Sequence, residues 1–152
     1  MAEAVAFGAS VIAILQISDR IIGLCKFYIG AAQDAPADIR VILLEVSTLN
    51  TVVKSLQFLA TCNGVVSDAV RSLGDRDGPI DGCRRAVADL EKLFPLGCSM
   101  DGDTQPKSKK QKVEATLAAL AWPLKANKAK RLLDEVMRYK ATISLALTAE
   151  TT

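Results

Sequence analysis

The chain has no histidine, and aromatic residues fill only 5% of its 152 positions. Losing histidine removes the commonest general base, the commonest zinc ligand and every Ser-His or Cys-His pair. With so few aromatics, any core must be aliphatic. The four cysteines, Cys25, Cys62, Cys83 and Cys98, stand far apart with neither a CxxC pair nor zinc-site spacing. They read as reduced thiols packed as small hydrophobes. There is no Gly-rich phosphate loop, no nucleophile beside a base and no pair of carboxylates in a cleft. Asp134-Glu135 falls on a helix face and reads as solvated. The expectation is a protein that is not an enzyme, with no catalytic residue, metal or cofactor.

Charge is also missing locally. From Ala4 to Ser18, in MAEAVAFGASVIAILQISDR, no side chain is charged. A secretory signal is excluded: Glu3 stands at the start, and the first basic residue, Arg20, lies beyond the apolar run. A bilayer core of about 30 Å needs about 20 apolar residues, whereas fifteen at about 1.5 Å each reach only ~22 Å. The stretch is therefore expected to be neither a signal nor a constitutive anchor. It reads as a bundle helix that can be buried at rest. Its small residues (Ala4, Ala6, Gly8, Ala9, Ser10, Ala13) would also suit close helix contacts in a membrane, and several copies could thin or perforate a bilayer.

Apolar residues make up 50% of the chain and charged ones 24%, which excludes general disorder. One domain over residues 1–152 is expected. Apolar positions with helical spacing dominate. Ile14, Ile17, Ile21, Leu24 and Tyr28 predict a helix over about 3–31. Ile39, Ile42, Val46, Leu49, Val53, Leu56 and Ala60 predict a second from near Pro36 to Asn63-Gly64, with Arg40, Glu45 and Lys54 off the stripe. SDAVRSL reads as a short turn of helix, and GDRDGP as a loop. Ile80, Cys83, Val87, Leu90 and Phe94 predict a helix over about 80–93, stopped by Pro95. Residues 97–109, continuing to Lys112, read as an exposed linker. Residues 110–149 read as helical with a break or kink near Trp122-Pro123, their last stripe being Leu132 or Leu133, Val136, Lys140, Ile143 and Leu147. No strand pattern is strong and no internal repeat is visible. The fold expected is all-α, a bundle of four to five antiparallel helices. The end at LTAETT, with no helix stop signal, is expected to fall inside a longer protein.

Basic residues gather late in the chain. Lys107, Lys109, Lys110, Lys112, Lys125, Lys128, Lys130 and Arg131 face a single acid, Glu114, between positions 107 and 131. Such a cluster fits a solvated face, an anionic membrane surface or, through PKSKKQK, a nuclear import signal. No aromatics interleave with Lys107–Lys112, so nucleic acid is not an expected partner.

Four stretches in order carry a family resemblance: MAEAVAFGASVIAILQISDRIIGLCKFYI, DAPADIRVILLEVSTLNTVVKSL, GPIDGCRRAVADLEKLFP and LAALAWPLKANKAKRLLDEVMRYKATISLAL. Together they resemble the fungal N-terminal domain of STAND proteins. This HeLo-like domain is also named after the protein L N-terminal domain of the azaphilone pigment cluster. GPIDGC, LAWPLK and KATISLAL are the most specific parts, and nearly the whole chain is covered. The resemblance implies a bundle similar to that of the mixed-lineage kinase-like pseudokinase and to the coiled-coil domains of plant immune receptors. It implies a place at the front of an NLR-like receptor, before a nucleotide-binding oligomerisation domain and repeats. It also implies a role in regulated cell death or incompatibility: cytoplasmic at rest, the domain would cluster on receptor oligomerisation and attack the plasma membrane. The insertion helix would then carry Val5, Phe7, Gly8, Ser10, Val11, Ile12, Ile14 and Leu15. The basic cluster would meet anionic lipid or a partner. An adaptor domain without membrane activity is the alternative.

Overall fold

The computed structural model describes residues 2–31, 37–62, 68–75, 78–94 and 125–151, and of 2–6, 31, 60–62, 68, 69, 150 and 151 the backbone alone. The expected linker at 97–109, the helix start at 110–122 and the Trp122-Pro123 break lie outside these residues. All regular structure among the described residues is helical: α1 Ala2–Ala31, α2 Ala37–Cys62, α3 Asp68–Leu73, α4 Pro79–Glu91 and α5 Ala126–Thr151. The protein is an all-α helical bundle.

Long helices contact one another in a ring, α1 to α2, α2 to α5, α5 to α4 and α4 to α1. Asn50 meets Asp19 across the α1/α2 hairpin. Tyr139 approaches Gly82 and Lys125 reaches Leu93, so α4 and α5 are antiparallel. Phe7 lies against Gly74 and Arg20 against Glu91, which sets α1 and α4 running in the same direction. Two antiparallel hairpins therefore stand side by side. Short α3 carries the chain across the bundle end and packs on α5, its Val70 and Leu73 buried.

Most positions of the expected stripes are core, while Ile17 and Leu147 are half-buried, Lys140 pairs with Glu45, and the Ala60 side chain lies outside the described residues. Ile39, Ile42, Val46, Leu49, Val53 and Leu56 of α2 are buried, as are Ile80, Cys83, Val87 and Leu90 of α4 with Phe94 just beyond it. On α5 both Leu132 and Leu133 are buried, with Ala129, Val136, Ile143 and Ala146. Burying each large aliphatic side chain stabilises the fold by roughly 1.5–3 kcal/mol. Tyr28 stacks on Phe94 with ring centroids 5.9 Å apart, and Phe27 meets Tyr28 edge-on at 5.5 Å. Cys25 and Cys83 are buried free thiols, as their reading as small hydrophobes requires.

GPIDGC has a structural account at each position. Gly78 is the N-cap of α4 and Pro79 opens its first turn, where a missing N–H costs nothing. Ile80 and Cys83 enter the core. Asp81 accepts a hydrogen bond from Arg84 at 2.8 Å, which holds its carboxyl below the usual range. At Gly82 a Cβ would lie 2.6 Å from Tyr139 Cζ. Glycine here is what lets α5 approach α4.

Candidate functional site

The expected insertion residues lie on one continuous helix but have different surroundings. Val11 and Ile14 are buried and Ile12 is 47% exposed. Phe7, Gly8, Ser10 and Leu15 are half-buried, and Val5 is described by its backbone alone. A Cβ at Gly8 would meet nothing within 4 Å. At the other extreme, Phe7 lies so close to Gly74 that any Cβ at position 74 would strike its ring.

The fifteen uncharged residues are the first half of a longer helix, and α1 runs unbroken to Ala31, as the helical spacing predicts. The 24 residues Phe7–Gly30 are long and apolar enough to cross a membrane by length and composition, reaching about 36 Å. Asp19, Arg20 and Lys26 are the only charges in that span. A core helix of a soluble protein meets the same two criteria, and Val11, Ile14, Ile21, Leu24, Cys25, Phe27 and Tyr28 of this span lie in the core of the bundle.

A polar layer interrupts α1 at its middle. Ser18 is fully buried, and its hydroxyl has no hydrogen-bond partner among the described residues. Asn50 Nδ2, 5% exposed, donates to Asp19 Oδ1 at 3.1 Å. Arg20 donates to Glu91 through Nε at 2.6 Å and Nη2 at 3.2 Å. That bond raises the Arg20 guanidinium above its ordinary value, against the opposing effect of desolvation. Sequence periodicity passed over this layer, since a lone Ser-Asp-Arg reads as the solvated side of a helix.

Only half of the basic cluster falls on described residues, and it is not one patch. Lys107, Lys109, Lys110 and Lys112 lie outside them. Lys125 Nζ donates to the Leu93 carbonyl at 3.0 Å, satisfying backbone beyond the end of α4, so its role in the fold is structural. Lys128, Lys130 and Arg131 are exposed. At about 100° per residue, Lys128 and Lys130 point to opposite flanks of α5, while Arg131 lies within about 60° of Lys128. A further basic residue has a partner that sequence reading placed on the solvent side: Lys140 Nζ donates to Glu45 Oε2 at 2.7 Å and to Thr48 at 3.0 Å. This pair ties α5 to α2 with side chains only 24% and 17% exposed.

Outside the ring, α2 presents a second stripe, with Val41 46% and Leu44 62% exposed. Thr48, Thr51 and Ser55 continue it, each hydroxyl donating to a carbonyl of the preceding turn. Their polarity is thus partly spent within the helix. No protein-family model, curated protein or solved structure matches the chain.

Proposed function

We propose that this bundle is a membrane-directed effector domain, the N-terminal signalling module of a fungal NLR-like STAND protein. On receptor oligomerisation the clustered bundles release α1 into the plasma membrane and permeabilise it, in regulated cell death or heterokaryon incompatibility. The observation that carries the reading is α1 itself: span-length, apolar and lightly buried in its N-terminal part. Resemblance to the HeLo-like family supplies the receptor, the death pathway and the passage from cytoplasm to plasma membrane. Anionic lipid engages Lys107, Lys109, Lys110 and Lys112 with the flank of α5 that carries Lys128 and Arg131, each basic residue near the surface contributing about 1 kcal/mol.

Dye release from anionic liposomes by the purified domain tests this directly. Release is expected, weakening with salt and with Lys109, Lys110, Lys112, Lys128 and Lys130 changed to Glu. Intact vesicles at every lipid composition would overturn it.

A second reading, an adaptor that recruits another protein without touching membranes, is favoured by the exposed α2 stripe. It predicts that liposomes are ignored and that Leu44→Glu abolishes capture of a partner without unfolding the domain.

A further inference from the structure

Six large hydrophobic side chains stand exposed among the described residues: Ile12, Val41, Leu44, Phe58, Met137 and Leu145. All but Ile12 belong to α2 and α5, which lie side by side and run in the same direction. On α2 they open and close a stripe of Val41, Leu44, Thr48, Thr51, Ser55 and Phe58, in alternating steps of three and four. Such spacing suits a second helix laid along it at about 20°. The hydroxyls of Thr48, Thr51 and Ser55 donate to carbonyls of their own helix, so covering them strands no donor.

The stripe is its own complement. Its members pair about a point between Leu49 and Asn50: Val41 with Phe58, Leu44 with Ser55, Thr48 with Thr51. A two-fold contact sets a patch against the same patch reversed. In an antiparallel pair, Leu44 of one copy therefore enters the space over Ser55 of the other, and the threonines at the centre let the helices approach. α5 supplies a separate check. Lys140 reaches Glu45 and Thr48, which sets residue 140 level with residues 45–48 of α2. The axis fixed by α2 then crosses α5 near residue 143. About that point Leu145 falls opposite Ala141, and Met137 opposite Thr148 and Ala149, all three small residues being exposed. The large side chains of α5 thus meet small ones under an axis that α2 alone defined.

We propose that the α2/α5 face pairs with a second copy of this chain, α2 against α2 and α5 against α5, each antiparallel to its counterpart. In the ring of helices α1 and α4 lie on the opposite side, so the pair leaves them uncovered. It needs neither lipid nor receptor and goes beyond the membrane reading without resting on it. From Val41 to Phe58 the stripe spans about 26 Å. A contact of that length belongs at the low end of specific interfaces, near roughly 1,200 Å². Pairing is accordingly weak, with a Kd on the order of 10–100 µM.

Sedimentation equilibrium over loading concentrations from about 5 to 500 µM brackets that range, and the average mass should climb from one chain towards two. Leu44→Glu places a charge in each contact and weakens pairing by at least about tenfold. Its helicity and thermal unfolding stay at wild-type values, because Leu44 is 62% exposed in the single chain. A wild-type chain that stays monomeric throughout, or a Leu44→Glu chain that pairs as tightly as wild type, overturns the proposal. Disulfides read the register. With Cys62 and Cys98 replaced by Ala, Leu44→Cys chains mixed with Ser55→Cys chains cross-link under a mild oxidant. Leu44→Cys alone should give at most about a tenth as much, since the two copies of position 44 lie roughly 16 Å apart along the axis, beyond the Cα reach of a disulfide. Self-linking as efficient as the mixture overturns the antiparallel pair. Salt separates this contact from lipid binding. Arg40 and Lys54 are exposed on the stripe's edge away from α5 and meet the same edge of the other copy, so salt leaves pairing unchanged or tighter, whereas it weakens attachment to anionic vesicles. Pairing that salt dissolves overturns the apolar contact. Vesicle leakage by a chain that never pairs upholds the membrane reading and sinks the pair alone; a pair that leaves vesicles intact does the reverse.

Discussion

Between Phe7 and Ile17, α1 buries two hydrophobic side chains, Val11 and Ile14; between Ile21 and Tyr28 it buries five, Ile21, Leu24, Cys25, Phe27 and Tyr28. The first of these halves is the more uniformly apolar in sequence and the less buried in the fold. Burial along a helix follows what stands opposite it. The second half faces Phe94 and the core layers of α2 and α4. The first runs to the bundle end, where its tip meets the turn after α3. Hydrophobic composition set the capacity of each half to be buried, and the neighbours decided how much of it was used.

Removing an aromatic anchor should show this asymmetry most strongly. Phe94→Ala empties a site 2% exposed and should cost about 3–5 kcal/mol, measured by urea unfolding. Phe7→Ala, half-buried, should cost well under half as much. Equal losses would erase the distinction between the halves.

The next effect comes from the contacts between hairpins. Lys140→Met leaves Glu45 largely buried and unpaired, with an expected loss of about 1–3 kcal/mol. A double-mutant cycle with Glu45→Gln should return a coupling of about 1 kcal/mol. Gly82→Ala forces Tyr139 aside and should cost about 1–3 kcal/mol, with Tyr139→Ala relieving most of it. These changes loosen the α2/α5 and α4/α5 contacts, so they should leave the difference between Phe94→Ala and Phe7→Ala intact.

Cys25 supplies a probe of the second half. Burial pushes the Cys25 and Cys83 thiols up to about 12, from an ordinary value of 9.0. The folded state thus holds these protons more tightly than the unfolded chain. The stability this confers is complete below about pH 9 and is lost progressively as pH rises from there towards 12. Urea titrations at pH 8 and pH 10.5 should show the decline, and Cys25→Ala should flatten it. With Cys62 and Cys98 replaced by Ala, a thiol reagent at pH 8 should label the buried Cys25 at the rate of global unfolding.

The smallest stability effect is expected at Gly8. With nothing within 4 Å of a Cβ there and leucine the better helix former, Gly8→Leu should leave thermal unfolding within about 0.5 kcal/mol of wild type. Leakage should fall nonetheless, if released helices pack through that position. Leakage that tracks stability across all these variants would reduce α1 to a core helix.

Much of the fold was legible in the residues. Helical spacing located the bundle helices, and the inward positions of α2 and α4 proved to be the core. DAVRSL, read as part of a short turn of helix, forms α3. These features depend on neighbours within one or two helical turns, and local sequence records them. The candidate site was legible only as a stretch. Its uncharged composition was plain, and helical spacing carried the helix through Asp19 to about residue 31, but how deeply each part is buried depends on the neighbouring helices. Glu45, Lys140 and Lys125 were placed by periodicity or charge alone, and each has a partner far away in the chain.

Sequence by itself determined an all-helical chain with an aliphatic core, and an uncharged N-terminal segment within its first helix. Both follow from side-chain chemistry repeated every three or four residues. Tertiary structure alone decided that α1 runs parallel to α4, that Gly74 receives Phe7 and Gly82 receives Tyr139, and that Ser18 is stranded in the core. Those are contacts between residues 57 to 71 positions apart in the chain, or consequences of which helices stand beside one another. Nothing in a local period encodes them; they arise when whole helix faces choose the partners that exclude the most water.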